Sequence, residues 1–164
     1  MQQITPLPGG PILQTYKTLA EVVGFLETYH GQLYDYYQKH RETEQSQRLK
    51  MLIDYISRHN KNIQDVLKTI HEQDRDIIFK TWIQFVPFTE TMLPPEQLTA
   101  PGQNIDSIVQ LVFELDEQLI RFYDKMIHQT GIPEPVKNFF QQLITLEEKK
   151  KTQVAKAAQQ IKAL

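Results

Sequence analysis

Proline governs what this chain can fold into. Its nine prolines fall into three clusters: Pro6, Pro8 and Pro11; Pro87, Pro94, Pro95 and Pro101; Pro133 and Pro135. Proline lacks the backbone N–H and collides with the preceding turn, so it is kept out of helix interiors. The clusters therefore divide the chain into an N-terminal arm over 1–15 and two helical halves. Each half has one further break, at His40–Arg41–Glu42–Thr43 and at Gly131–Ile132–Pro133.

Between the breaks the apolar residues recur at alternating intervals of three and four, the period of an amphipathic helix. The first helix is expected to begin near Thr18, where Thr18-x-x-Glu21 reads as a capping box, and carries Leu19, Val23, Leu26, Leu33 and Tyr37. The second runs from about Thr43 to Gln73 with Leu49, Ile53, Ile56, Ile63, Leu67 and Ile70. The third starts after Asn104 and ends near Gly131, with Ile108, Val112, Leu115, Leu119, Phe122 and Met126. The fourth begins at Pro135, a favourable first-turn residue, with Val136, Phe140, Leu143, Val154, Ala157 and Ile161. No strand pattern competes. The expected fold class is all-α: one domain, 1–164, forming a four-helix bundle.

Connection lengths select the topology. Short links make helices one and two antiparallel, and likewise helices three and four. The link over 74–104 is apolar at first and proline-rich later, and is long enough to cross the whole bundle. An up-down-up-down bundle with a large insertion is the competing arrangement. Phe79, Trp82, Phe85 and Phe88 are expected to seal the crossover against the bundle, and 87–104 to be mostly irregular.

Composition removes several functions. Eighteen Lys and Arg against twenty Asp and Glu leave a net charge of −2, so no basic excess points to nucleic acid or acidic lipid. The absence of cysteine excludes disulfides, zinc fingers, iron–sulfur clusters and thiol catalysis. No run of about 18 apolar residues suits a membrane span. Met1–Gln14 lacks a signal-like pattern, and the expected location is cytoplasmic. No phosphate-binding glycine loop, Gly-x-Ser-x-Gly or His-Glu-x-x-His occurs.

The informative residues interrupt the apolar seams. His30 stands between Leu26 and Leu33, Asn60 between Ile56 and Ile63, and Glu147 and Lys150 between Leu143 and Val154. Asp116 lies beside the third seam, flanked by Val112, Leu119 and Tyr123. All lie near mid-helix, where a polar group destabilises unless paired or bound. A lone His or Asn at such a position is commonly a satisfied core residue, but interruptions at one level of every helix predict that His30, Asp116, Glu147 and Lys150 converge.

The helices resemble the ferritin-like superfamily, and its rubrerythrin type most closely. The resemblance rests on "FLETYHGQLYDYY" in the first helix, "ELDEQLIRFYDKM" in the third, "LEEKKKTQVAKA" in the fourth, and the short–long–short connections. It covers the four helices. In that family one Glu from each of two helices and a Glu-x-x-His pair from each of the others hold two irons. Carried over by position, the former ligands are His30, Asn60 and Ile63, Asp116, and Glu147 and Lys150. A register shifted by one would instead use His59 with Asn62 and Glu148 with Lys151. Neither Glu-x-x-His pair survives in either register, and Lys150 would bring a positive charge to the metal's place. The resemblance thus implies a ferritin-like bundle with a degenerate di-iron site, no cofactor, and iron as the alternative.

Other patterns carry less. Of the five histidines (His30, His40, His59, His71, His128), only His71 with Asp76 matches a hemerythrin spacing, at a helix end. In the run Lys149–Lys150–Lys151, the middle residue is expected to face inward. Tyr29, Tyr34, Tyr36 and Tyr37 are read as core packing with hydrogen-bonded rims, or as a cavity lining. Three functions follow: a metal-free bundle acting non-enzymatically through a surface or small interior pocket; a di-iron-type oxidoreductase or iron-binding protein using His30, Asp116, Glu147 and His59; or a pocket enzyme with Lys150 and Glu147 as base and acid. A homodimer is compatible with the first.

Overall fold

The computed structural model describes residues 17–73, 77–84, 86–87, 92, 95, 98 and 104–164; the side chains of 71–73 and 77–78 are outside the description. The expected N-terminal arm, the His71–Asp76 pair, Phe85, Phe88 and most of the proline-rich link lie outside the described residues. Four long helices dominate: α1 (Leu19–Thr43), α2 (Gln47–Gln73), α3 (Ile105–Ile127) and α4 (Glu134–Lys162). Of the apolar positions expected at the seams, all are buried except Ile70, which is half-buried.

Helix ends follow local side-chain chemistry. Thr18 caps α1 by accepting from the Glu21 N–H at 3.2 Å. The break between α1 and α2 falls at Glu44–Gln45–Ser46, not at His40–Thr43, and α2 starts at Gln47 rather than Thr43. Glu44 turns extended (ψ 135°), and its carboxylate accepts from the N–H groups of Gln45 and Ser46 at 2.8 and 3.1 Å. Ser46 then caps α2 by accepting from the Leu49 N–H. Thr43, where the second helix was expected to start, instead donates its hydroxyl back to the His40 carbonyl. Asn104 caps α3 in a reciprocal bond pair with Ser107. α3 ends at Ile127, four residues before Gly131, whose φ of 82° makes the turn into α4. α4 begins one residue before Pro135.

Contacts fix the helix directions. Arg41 meets Asp54, and His30 meets Asn60, so α1 and α2 are antiparallel. Asp106 pairs with Lys162, Asp116 with Lys150, and Tyr123 stacks on Phe140, so α3 and α4 are antiparallel. Tyr55 and Arg58 share a cleft with Gln160 and Ile161, whereas Ile63 and Val66 share one with Leu146, so α2 and α4 are antiparallel too. It follows that α1 and α4 run one way, and α2 and α3 the other. The end of α2 and the start of α3 therefore lie at opposite ends of the bundle.

One short pairing was not expected. β1 (Lys17–Thr18) and β2 (Trp82–Ile83) form a two-residue antiparallel ladder, and the Leu19 N–H donates to the Thr81 carbonyl at 3.0 Å. The alternation of a strand sends neighbouring side chains to opposite faces. Ile83 is accordingly buried, and Trp82 is 63% exposed. Trp82 thus does not seal the bundle. Phe79 does, packing edge-on against Phe139 with ring centres 5.6 Å apart.

Candidate functional site

The register that puts Asn60, Glu147 and Lys150 inward is the one adopted. Each is at most 3% exposed, as are His30 and Asp116, whereas Asn62 and Glu148 face solvent. Lys149 is exposed, and Lys151 pairs with Glu117 on the outside of α3 and α4. His30, Asn60, Asp116, Glu147 and Lys150 come together, one helix contributing to each side. Gly31, beside His30, keeps α1 close to α2, where an added Cβ would press on the Gln64 side chain.

Lys150 is the centre of the group. Its ammonium lies 2.8 Å from Oδ1 of Asp116 and 3.4 Å from Oε2 of Glu147, and donates to Oδ1 of Asn60 at 3.4 Å. Asn60 donates its own amide to the Ile56 carbonyl at 3.2 Å, which fixes its orientation: the reverse would turn an NH2 group towards the ammonium. Oδ1 of Asn60 therefore also faces His30 Nδ1, at 3.1 Å, while His30 Nε2 lies 3.2 Å from Oε1 of Glu147. Both ring nitrogens face acceptors, but only Nδ1 is aligned for a hydrogen bond, and Nε2 has none among the described residues.

Ile63, one turn beyond Asn60, joins the buried apolar residues, and lines with His59, Leu146 and Lys150 a shallow cleft of ≈ 130 Å³ between α2 and α4. It offers no donor atom to the cluster. Burial, followed by the charge on Lys150, holds His59 below the usual imidazole range.

Distance and alignment differ within the cluster. The ammonium–carboxylate separations are those of ion pairs, but both Asp116 oxygens and Oε2 of Glu147 have no aligned hydrogen bond among the described residues. Neither do the hydroxyls of Tyr29 and Tyr123, both buried. The two tyrosines were foreseeable: Tyr29 precedes His30, and Tyr123 lies two turns from Asp116 on one face. Ser57, buried with a hydroxyl that has no hydrogen-bond partner among the described residues, was missed, because a single serine beside a seam gives no periodic signal.

The charge states follow from the surroundings. Burial is the largest influence on Asp116, and pushes its carboxyl up to about 7, with Lys150 opposing and Glu147 assisting. For Glu147 the charges of Lys150 and His30 together outweigh burial, and its carboxyl falls to about 2. Lys150 is held above its ordinary range by Asp116 and Glu147 against burial. These directions oppose the base-and-acid pair expected from sequence: a base needs an amine that releases its proton, and an acid needs a protonated carboxyl.

The donor set does not suit a pair of irons. One imidazole and two carboxylates face a resident ammonium, and among the described residues no group of three or more His, Asp or Glu is arranged to hold a metal ion. Likewise, no helix among them is long and apolar enough to cross a membrane. Comparison of the chain with known family models, with curated proteins and with solved structures gives no match.

Proposed function

We propose that this protein is a ferritin-like bundle in which an ion-paired core has replaced the di-iron centre, and that it acts non-enzymatically through its surface or a small pocket. One observation carries the reading. The Lys150 ammonium lies between Asp116 and Glu147, where a cation bridged by two carboxylates would belong in such a bundle. The parallel course of α2 and α3, linked by the long 74–104 segment, supports the same ancestry. Lys150 supplies the positive charge internally. A divalent ion entering the group meets like-charge repulsion that a low dielectric strengthens.

Elemental analysis of purified protein, followed by iron(II) titration in air, tests this. The expected result is well under one iron per chain and no oxo-bridged absorbance band. Stoichiometric iron would overturn it, in favour of a metal-dependent oxidoreductase using His30, Asp116 and Glu147.

A further inference from the structure

A second cavity lies away from the charged core. A cleft of ≈ 610 Å³ opens where the first half of α2 meets the last turns of α4, within the size range of small-molecule sites. Met51, Tyr55, Ala157 and Ile161 contribute its apolar wall, and Met51 is left 39% exposed. Ser57 is 1% exposed, and its hydroxyl is closed to the cleft. Arg58, the next residue, makes no ion pair among the described residues. The neighbouring charges are engaged: Asp54 with Arg41 at 2.6 Å, and Lys61 with Asp65 at 3.4 Å.

We infer that this cleft binds a small organic carboxylate with an apolar body. The Arg58 guanidinium takes the carboxylate in its planar fork, and the Met51–Tyr55–Ile161 wall covers the body. A guanidinium without an ion pair among the described residues, set beside an apolar wall, matches a monoanion better than a polyphosphate. The inference stands whether or not the core binds iron, because no member of the cluster lines this cleft.

Calorimetry and amide NMR on the whole protein test it, using octanoate and 2-naphthoate as probes, with octanol and octyltrimethylammonium as uncharged and cationic matches. At least one carboxylate is expected to bind with shifts confined to 34–38, 51–61 and 157–164, and roughly tenfold more tightly than octanol, as befits a hydrogen-bonded charge. Which carboxylate binds tells an aliphatic body from an aromatic one. Arg58→Gln should reduce that affinity to the level of octanol, and Lys68→Gln, an equal loss of charge elsewhere on α2, should leave it unchanged. Equal binding of all four probes, no binding of either carboxylate, or indifference to Arg58→Gln overturns the inference. So does a dimer in sedimentation that Met51→Glu converts to monomer, since the cleft would then belong to a second copy.

Discussion

Lys150 on α4 and Asp116 on α3 meet at 2.8 Å, each at most 3% exposed. Their separation in sequence is wide, so the contact reports the packing of two helices, and the desolvation of both charges is met only if each stays with its partner. Removing one charge should therefore do more damage than removing both. Lys150→Met should destabilise the fold by about 3–5 kcal/mol, the usual scale for orphaning a buried charge. Adding Asp116→Asn should restore part of that loss. Urea unfolding of the two single variants and the double variant gives the coupling, and strictly additive losses would contradict the pairing.

The two carboxylates make opposite contributions to the pH dependence of stability. Asp116 is raised in the folded state, from 3.8 to about 7, so its contribution is full below 3.8 and is lost as pH rises through about 7. Glu147 is depressed from 4.5 to about 2, so its contribution is full above 4.5 and is lost as pH falls through about 2. Together they place the greatest stability in mild acid. Urea midpoints measured across that span should show a decline on the neutral side that Asp116→Asn flattens, and a decline on the acid side that Glu147→Gln flattens. A parent curve flat from 4.5 to 7 would contradict the assignment for Asp116.

Two glycines should respond differently to alanine. Gly131, at φ 82°, holds a backbone conformation that alanine adopts at a cost of about 1–2 kcal/mol, although nothing crowds its position. Gly31 lies inside α1, where alanine favours the helix by up to about 1 kcal/mol, and the group it meets is the end of the flexible Gln64 side chain. Thermal melts should show a clear fall for Gly131→Ala and a small change of either sign for Gly31→Ala.

Periodicity made the helices and their buried faces legible, because an apolar seam repeats often enough to outweigh single errors. Boundaries were less legible. Thr43 and Ser46 are both plausible caps, and the choice depends on Glu44 folding its carboxylate over the N–H groups of Gln45 and Ser46. Trp82 was misjudged because a two-residue ladder is too short to show alternation in sequence, and that alternation alone sends the indole outward. In the core, the polar residues were visible as gaps in an apolar rhythm. Their pairing was not, since the orientation of Asn60 depends on Lys150 ninety positions away. The cleft beside Arg58 was invisible for a related reason: α1, α2 and α4 each contribute side chains to it, and none of the three carries a motif.

If the ion-paired core descends from a metal centre, restoring ligand types at the inherited positions should restore binding. His30→Glu, Asn60→Glu, Ile63→His and Lys150→His made together would leave Asp116 and Glu147 in place and recreate a carboxylate–imidazole pair at i, i+3 on both α2 and α4. The change removes the resident ammonium and fills the position where Ile63 offers no donor atom. Cobalt(II) is the useful probe, because its visible absorbance reports coordination without any turnover. The fourfold variant should take up cobalt(II) in stoichiometric amounts, whereas the unmodified chain and Lys150→Met alone should not. Circular dichroism establishes whether the helices survive. A variant that keeps its helical signal and yet binds no more cobalt(II) than the parent would show that the cluster is a structural ion pair with no inherited ligand geometry.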